Sequence, residues 1–289
     1  VKPPPFEYHA PRELGEALRT LAESRGKVLA GGQSLIPMLN MRLAAPKHLV
    51  DINRIGSLAT LEADEAGVSV GALVRHADAE RAGAHPLLTK ALKLVAHPVI
   101  RNRGTVVGSL VHADPAAELP AVLAVLGGRV RVARCDAGAM AVREVDARDF
   151  FTGPMESAVE AGELAVSAFF PALGPGTGCA FEEIARRHGD YALAGVCAVV
   201  VTVDELVTDA RVACVGVGPA PVVVELGETC AGRTVRESDW AAAVARVRDA
   251  AEPETDIHAS AAYRRYLVGV LAERALRNAA REGAAARGA

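Results

Sequence analysis

The stretch VLAGGQSLIPML, residues 28–39, reads as a buried strand that stops on two glycines and restarts as a helix. A second stretch, RNRGTVVGSLVHADPAAELP at 101–120, carries the same ingredients. It begins like a strand, is interrupted by Gly104 and Gly108, and runs into Asp-Pro and an alanine-rich helix. Such turns constrain a chain strongly. Where a helix begins, backbone N–H groups have no partner inside the helix and attract anionic ligands. Glycine lets another molecule approach the main chain without meeting a Cβ. In the first turn Gly31 and Gly32 give that access, and Ser34 adds a hydroxyl that can cap a helix with Pro37 in its first turn. In the second, Thr105 and Ser109 supply hydroxyls. Asp114 before Pro115 is a favoured pairing of N-cap and first helical residue, although the same carboxylate suits a sugar hydroxyl. Each turn alone is also an ordinary connection; together they suit a phosphate or pyrophosphate.

Neither turn spells G-x-G-x-x-G or G-x-x-x-x-G-K-[ST], so a Rossmann dinucleotide site and a P-loop are unsupported. No G-x-S-x-G nucleophile elbow occurs. The five cysteines stand far apart with no C-x-x-C, and the eight histidines form no H-x-x-x-H pair. That spacing gives no iron–sulfur or zinc motif, and the cysteines are expected as buried apolar residues.

The pattern divides the 289 residues into three lobes, 1–56, 57–173 and 174–289. In the first, PRELGEALRTLAES (11–24) places Leu14, Ala17, Leu18 and Leu21 at helical spacing, KVLAGG and HLVDIN read as strands, and SLIPMLNMRLA reads as a helix. In the second, residues 58–85 read as strands with GVSVGALV alternating, HPLLTKALKLVA and PAAELPAVLAVLGG read as helices, and GRVRVARC, MAVREVDA and ELAVSAFFP read as strands. A proline- and glycine-rich linker at 171–178 leads into three valine-rich strands, YALAGVCAVVVTV, ARVACVGVG and APVVVEL, expected as an antiparallel sheet. From Asp239 the pattern is helical, ending in AAYRRYLVGVLAERALRNAARE with Tyr263, Tyr266, Leu267, Val270 and Leu271 on one face.

Lys plus Arg number 32 against 35 Asp plus Glu, a net charge of −3 that gives no general attraction to nucleic acid or anionic membrane. The most apolar run, 192–203, is shorter than a spanning helix needs, and VKPPPFEY is too polar and proline-rich for a signal peptide. The expected location is cytoplasmic, with no membrane insertion.

AGGQSLIP, IRNRGTVVGSLVHADPAAELP and RRHGDYALAG, in this order, resemble the FAD-binding medium subunit of the molybdenum hydroxylases, the family of aerobic carbon monoxide dehydrogenase and bacterial xanthine dehydrogenase relatives. The resemblance runs from FEYHAPREL to YRRYLVGVLAERAL, and the paired motifs at this separation are specific. It implies an α+β fold: a two-lobed FAD-binding unit of the vanillyl-alcohol oxidase type, plus a C-terminal lobe with a three-stranded antiparallel sheet and a helical bundle. By position, Ala30, Gly31, Gly32, Gln33, Ser34 and Leu35 would form one FAD loop. Thr105, Val106, Val107, Gly108 and Ser109 would form the other, with Asp114 near the ribityl or ribose hydroxyls. Leu164 and Tyr191 would pack on the flavin. The family's usual second loop reads T-I-G-G-N or T-I-G-G-S, and Val107 stands where the first of those glycines is expected. A β-branched residue resists positive φ, so the backbone there is expected to be ordinary β or the pyrophosphate to lie differently.

The resemblance also implies a division of labour. A large subunit with the molybdenum cofactor oxidises the substrate, a small iron–sulfur subunit relays electrons, and this chain passes them through FAD to NAD, oxygen or a quinone. The expected assembly is a dimer of heterotrimers, with FAD held noncovalently and no side chain of this chain acting as a catalytic acid or base. The alternative is a stand-alone FAD-dependent oxidase or dehydrogenase with its own small-molecule substrate.

Overall fold

The computed structural model describes residues 2–236 and 240–286. The chain opens with β1 (Glu7–His9), α1 (Leu14–Ser24), β2 (Lys27–Leu29), α2 (Leu35–Asn40) and β3 (His48–Asp51). The three strands form a parallel sheet in the order β1-β3-β2. α1 buries Ala17, Leu18 and Leu21, as the helical spacing predicts, in a core shared by this sheet and the next segment, and ends on Arg25 in the left-handed conformation, whose N–H bonds to Leu21 O. α2 is shorter than expected and stops at Asn40.

The next segment contributes β4 (Leu61–Ala63), β5 (Gly67–Gly71), α3 (His76–Ala82), α4 (Pro86–Leu92), α5 (Pro98–Arg101), α6 (Val106–His112) and α7 (Glu118–Leu126). It closes with β6 (Arg129–Asp136), β7 (Ala139–Asp146), α8 (Ala147–Phe150), the small pair β8 (Phe151–Gly153) and β9 (Glu156–Ser157), and β10 (Glu163–Pro171). An antiparallel five-stranded sheet, β4-β5-β10-β6-β7, backs these helices.

Two expectations fail here. The strand-like reading from 58 to 85 gives way to helix at α3. The strand-like start at 101 is helix as well, α5 and then α6. The cause at α6 is local. The Thr105 hydroxyl accepts the Gly108 N–H at 3.1 Å, an N-cap that starts a helix despite two successive valines. Val106 and Val107 then turn into the core, which offsets their weak helix propensity.

The last segment holds β11 (Thr177–Ala185), β12 (Ala192–Val203), β13 (Leu206–Val215) and β14 (Val222–Glu225), then α9 (Gly227–Cys230), α10 (Ala241–Ala250) and α11 (Ala261–Ala285). The three expected strands are β12, β13 and β14, antiparallel; β11 adds a fourth at the edge of the sheet. The expected helix start at Asp239 lies outside the described residues, and the helix is described from Ala241.

α11 lies over this sheet. Its buried face runs through Arg264, Leu267, Val268, Leu271, Ala272, Ala275, Leu276, Ala279 and Ala280. Tyr263 and Tyr266, expected on the same face as the leucines, are exposed. Arg264 takes the inward place because its guanidinium finds acceptors there: Nη1 donates to Leu193 O at 2.5 Å and Nη2 to Asp256 at 2.7 Å. Cys179, Cys197, Cys214 and Cys230 are buried, and all five cysteines are free thiols. Among the described residues no helix is long and apolar enough to cross a membrane.

Candidate functional site

The first glycine turn joins β2 to α2 and the second joins α5 to α6. The fold brings them into direct backbone contact. A Cβ added to Gly31 would collide with Arg103 O and lie 2.8 Å from Gly104 Cα. Gly32 takes a left-handed φ of +73°, a conformation that side chains bearing a Cβ rarely adopt. Glycine is therefore required twice in the first turn, once for the close approach and once for the bend.

A polar strut locks the two turns. Asn53 Nδ2 donates to Ala30 O at 2.8 Å, Asn53 Oδ1 accepts Arg75 Nη2 at 2.6 Å, and Arg75 Nη1 donates to Arg103 O at 2.6 Å. Asn53 is itself oriented by Asp51, whose Oδ1 accepts both its amide side chain and its backbone N–H. Neither Asn53 nor Arg75 was singled out from the sequence, because an isolated Asn and an isolated Arg in loops carry no pattern.

The turns line one cleft of about 1110 Å³. Ala30, Gly31, Gly32, Gln33, Ser34 and Leu35 stand on its wall, with Thr105, Val107, Gly108 and Ser109 beside them and Asp114, Leu164 and Tyr191 further along. Of the residues singled out from the sequence, Val106 alone lies outside the wall. Its side chain is fully buried and its N–H is taken by Val74 O at 3.1 Å, so it has nothing to offer a ligand. Val107 has a helical backbone, neither the ordinary β conformation expected nor a positive φ, so valine meets no left-handed strain where the family pattern has glycine.

Ser34 sits at the N-cap position of α2 but makes no capping hydrogen bond, contrary to the expected role. Its hydroxyl stays available to the cleft. Asp114 does not cap α7, which starts later with Ala117 at the cap position. Its Oδ1 instead accepts the Ala116 N–H at 2.9 Å in a tight turn ahead of the helix. Leu164, on β10, is buried at the cleft wall, whereas Tyr191 stands in the open cleft with 67 % of its surface exposed.

The cleft wall also carries titratable groups that no motif marks, Glu118, His76 and His112 among them. Glu118 is buried at its edge; that burial, with the nearby Glu183 carboxylate, pushes its carboxyl up to about 8, so it holds a proton at neutral pH. Glu183 is pushed up to about 7 by burial. His76, packed under Gly104, is pulled down to about 4 by burial, with Arg101 and Arg75 adding to the effect and the Thr105 backbone opposing it. His112, also on the wall, is lowered by burial.

A diphosphate needs backbone N–H donors on a Cβ-free surface. The N–H groups of Gly31, Gly32, Gln33 and Ser34 have no partner among the described residues, and the wall around them is glycine and small side chains. A cleft of this volume, apolar at Leu164 and polar at the turns, accommodates a dinucleotide.

Comparison with known proteins places the chain. Residues 4–173 match the family model described as the FAD binding domain in molybdopterin dehydrogenase, and residues 179–279 match that of the CO dehydrogenase flavoprotein C-terminal domain. The 6-hydroxypseudooxynicotine dehydrogenase complex subunit alpha of Paenarthrobacter nicotinovorans is 38 % identical over 96 % of both chains. The carbon monoxide dehydrogenase medium chain of Hydrogenophaga pseudoflava is 36 % identical, over 95 % of this chain and 96 % of its own. A solved structure of carbon monoxide dehydrogenase from the latter organism superposes with a TM-score of 0.88 at 34 % identity, covering 96 % of this chain and 98 % of that one. With both halves matched, this chain belongs to the FAD-binding medium-subunit family of the molybdenum hydroxylases.

Proposed function

We propose that this chain is the electron-transfer subunit of a molybdenum hydroxylase complex, taking electrons from the iron–sulfur centres of a small partner subunit and passing them to an external acceptor. A large subunit would carry the molybdenum cofactor and meet the substrate, and the assembly would be a dimer of heterotrimers. The lobes 1–56 and 57–173 would hold the cofactor between them, and 174–289 would form the third lobe. The observation that carries the reading is the backbone contact of Gly31 with Arg103 and Gly104, which makes one ligand surface out of two distant turns.

Bound FAD would supply reversible acceptance of one or two electrons. The chain's own residues position and insulate it. The unpartnered amides of Gly31–Ser34, with the Ser34 and Ser109 hydroxyls, would hold the diphosphate. Asp114 and the protonated Glu118 would face hydroxyls of the ribityl chain or ribose, Glu118 able to donate as well as accept. Leu164 would close one face of the ring system from water and Tyr191 would cover it from the open side.

The test is reconstitution followed by isolation. The chain incubated with FAD and desalted is expected to keep stoichiometric flavin absorbance. Expressed with its neighbours it is expected to co-purify with a molybdenum subunit and a ferredoxin-like subunit. Turnover of a small organic substrate by the lone FAD-loaded chain would instead mark a stand-alone oxidase or dehydrogenase and end the proposal.

A further inference from the structure

Outside the cleft, the fold assembles a group of side chains that no sequence spacing announces. Glu7 and His9 are two residues apart on β1, and the parallel register pairs Glu7 with His48 on β3. Side chains alternate along strands, so all three point to the same face. His9 Nε2 lies 3.2 Å from His48 Nδ1, and Glu7 Oε2 lies 3.3 Å from that same nitrogen. All three ligand atoms fall within 4.8 Å of one another.

We propose that Glu7, His9 and His48 form a binding site for one divalent cation of the zinc class. The first argument is spacing. In a tetrahedral zinc site with bonds of about 2.0–2.1 Å, neighbouring donor atoms stand about 3.3 Å apart. Two of the three edges match that value and the third, between Glu7 and His9, is within 4.8 Å, so a cation asks for an adjustment of side chains on strands already in register. The second is chemistry. Two imidazoles and one carboxylate suit zinc, cobalt, nickel and copper, and not calcium or magnesium, which ask for oxygen alone. The third is that the apo arrangement serves its own atoms badly. One Nδ1 position faces an imidazole nitrogen and a carboxylate together and cannot give both a full hydrogen bond.

The mounting is firm for a surface site. His48 lies under Gly26, where an added Cβ would come within 3.1 Å of both His48 Cβ and His48 O. The Glu7 N–H is fixed by Lys47 O at 2.8 Å. The Glu7 side chain is 68 % exposed, so the remaining coordination positions face water. β1 is an edge strand of its sheet, and a cation bridging it to β3 staples the N-terminal segment onto the strand that leads to Asp51 and Asn53.

The test uses the full chain with bound FAD and cobalt(II) as the spectroscopic stand-in for zinc. One equivalent of Co²⁺ is expected to give visible ligand-field absorption without the near-ultraviolet band of a thiolate ligand, and Zn²⁺ is expected to bleach it. In Glu7→Gln, His9→Gln and His48→Gln the dissociation constant is expected to rise at least tenfold. Added Zn²⁺ should raise the melting temperature of the parent and not of the variants. Glu7→Gln alters an exposed side chain and keeps its size, so it remains informative if a histidine variant folds poorly. A thiolate band, an unchanged affinity in Glu7→Gln, or no saturable Co²⁺ binding overturns the proposal.

Discussion

Arg75 Nη2 donates to Asn53 Oδ1 at 2.6 Å, and the other ends of these two side chains hold Ala30 O and Arg103 O, one carbonyl from each glycine turn. The cleft wall therefore depends on a strut whose members need not touch the ligand. Removing either end unlinks the two turns. A hydrogen bond to a charged group contributes about 1.5–3 kcal/mol. Asn53→Ala and Arg75→Ala are each expected to weaken FAD binding by roughly ten- to a hundredfold. Because they share one connection, the double variant should lose far less than the sum of the two. Flavin fluorescence titration of the four proteins checks this, and additive losses would show that the strut does not act as a unit.

The two glycines of the first turn should fail for different reasons. At Gly31 the obstacle is the other turn: a Cβ would meet Arg103 O and Gly104 Cα, so even Gly31→Ala must push the turns apart. At Gly32 the obstacle is backbone conformation, since φ is +73° and a Cβ would point to Ile36 Cγ1 and Leu29 Cδ1, 3.1 and 3.3 Å away. Alanine there is strained by about 1–2 kcal/mol, and valine by more. Gly31→Ala and Gly32→Val should both lose FAD, while Gly32→Ala retains part of it. Cofactor content after desalting measures the order, and full retention by Gly31→Ala would disprove the contact.

What could be read from the sequence was whatever repeats or clusters. Leu18 and Leu21 announce α1 by spacing, and the glycines of 31–32 and 104–108 announce the turns. What could not be read depends on pairing across distance. Asn53 and Arg75 have meaning only because two loops converge, and Glu7, His9 and His48 only because β1 lies beside β3. β11 carries no clear strand pattern because Glu182 and Glu183 interrupt its apolar residues, yet Glu182 finds Asn278 and Arg274 on α11. The stretch from 101 begins like a strand in the sequence because β-branched residues suggest one, and only the Thr105 cap decides for helix.

Glu118 makes stability depend on pH in a direction opposite to most carboxylates. Its carboxyl titrates near 8 in the folded chain against 4.5 as its ordinary value. Between those pH values the folded state holds a proton that the unfolded state has released, so stability falls as pH rises from about 5 to 8. Each unit is worth about 1.4 kcal/mol, and a total of a few kcal/mol is the upper bound. Glu183, raised to about 7, acts with the same sign. His76, lowered to about 4, has the opposite one: the unfolded chain gains a proton first, so its contribution is lost as pH falls from about 6.5 to 4. Urea melts of the flavin-free chain should show Glu118→Gln gaining on the parent steadily from pH 5 to pH 8. A constant difference across that range would mean that Glu118 ionises normally.

Glu282, on α11, joins the C-terminal sheet and helix to α4. Its carboxylate accepts Lys90 Nζ at 2.6 Å and the Cys179 N–H at 3.0 Å, while Lys90 also donates to Cys179 O at 2.6 Å. Both charged side chains are partly exposed, so the ion pair alone is worth at most about 1 kcal/mol. The backbone bond adds to that, because removing the acceptor leaves the β11 amide unserved. Glu282→Gln, which keeps an acceptor oxygen, should cost about 0.5 kcal/mol, and Glu282→Ala about 1–2 kcal/mol. None of these atoms lines the cleft, so FAD affinity should be unchanged in both. Thermal melts paired with flavin titration separate the two effects. Equal destabilisation by Gln and Ala would assign the whole contribution to charge, and a loss of FAD in either would mean that the packing of β11 and α11 against α4 shapes the cleft after all.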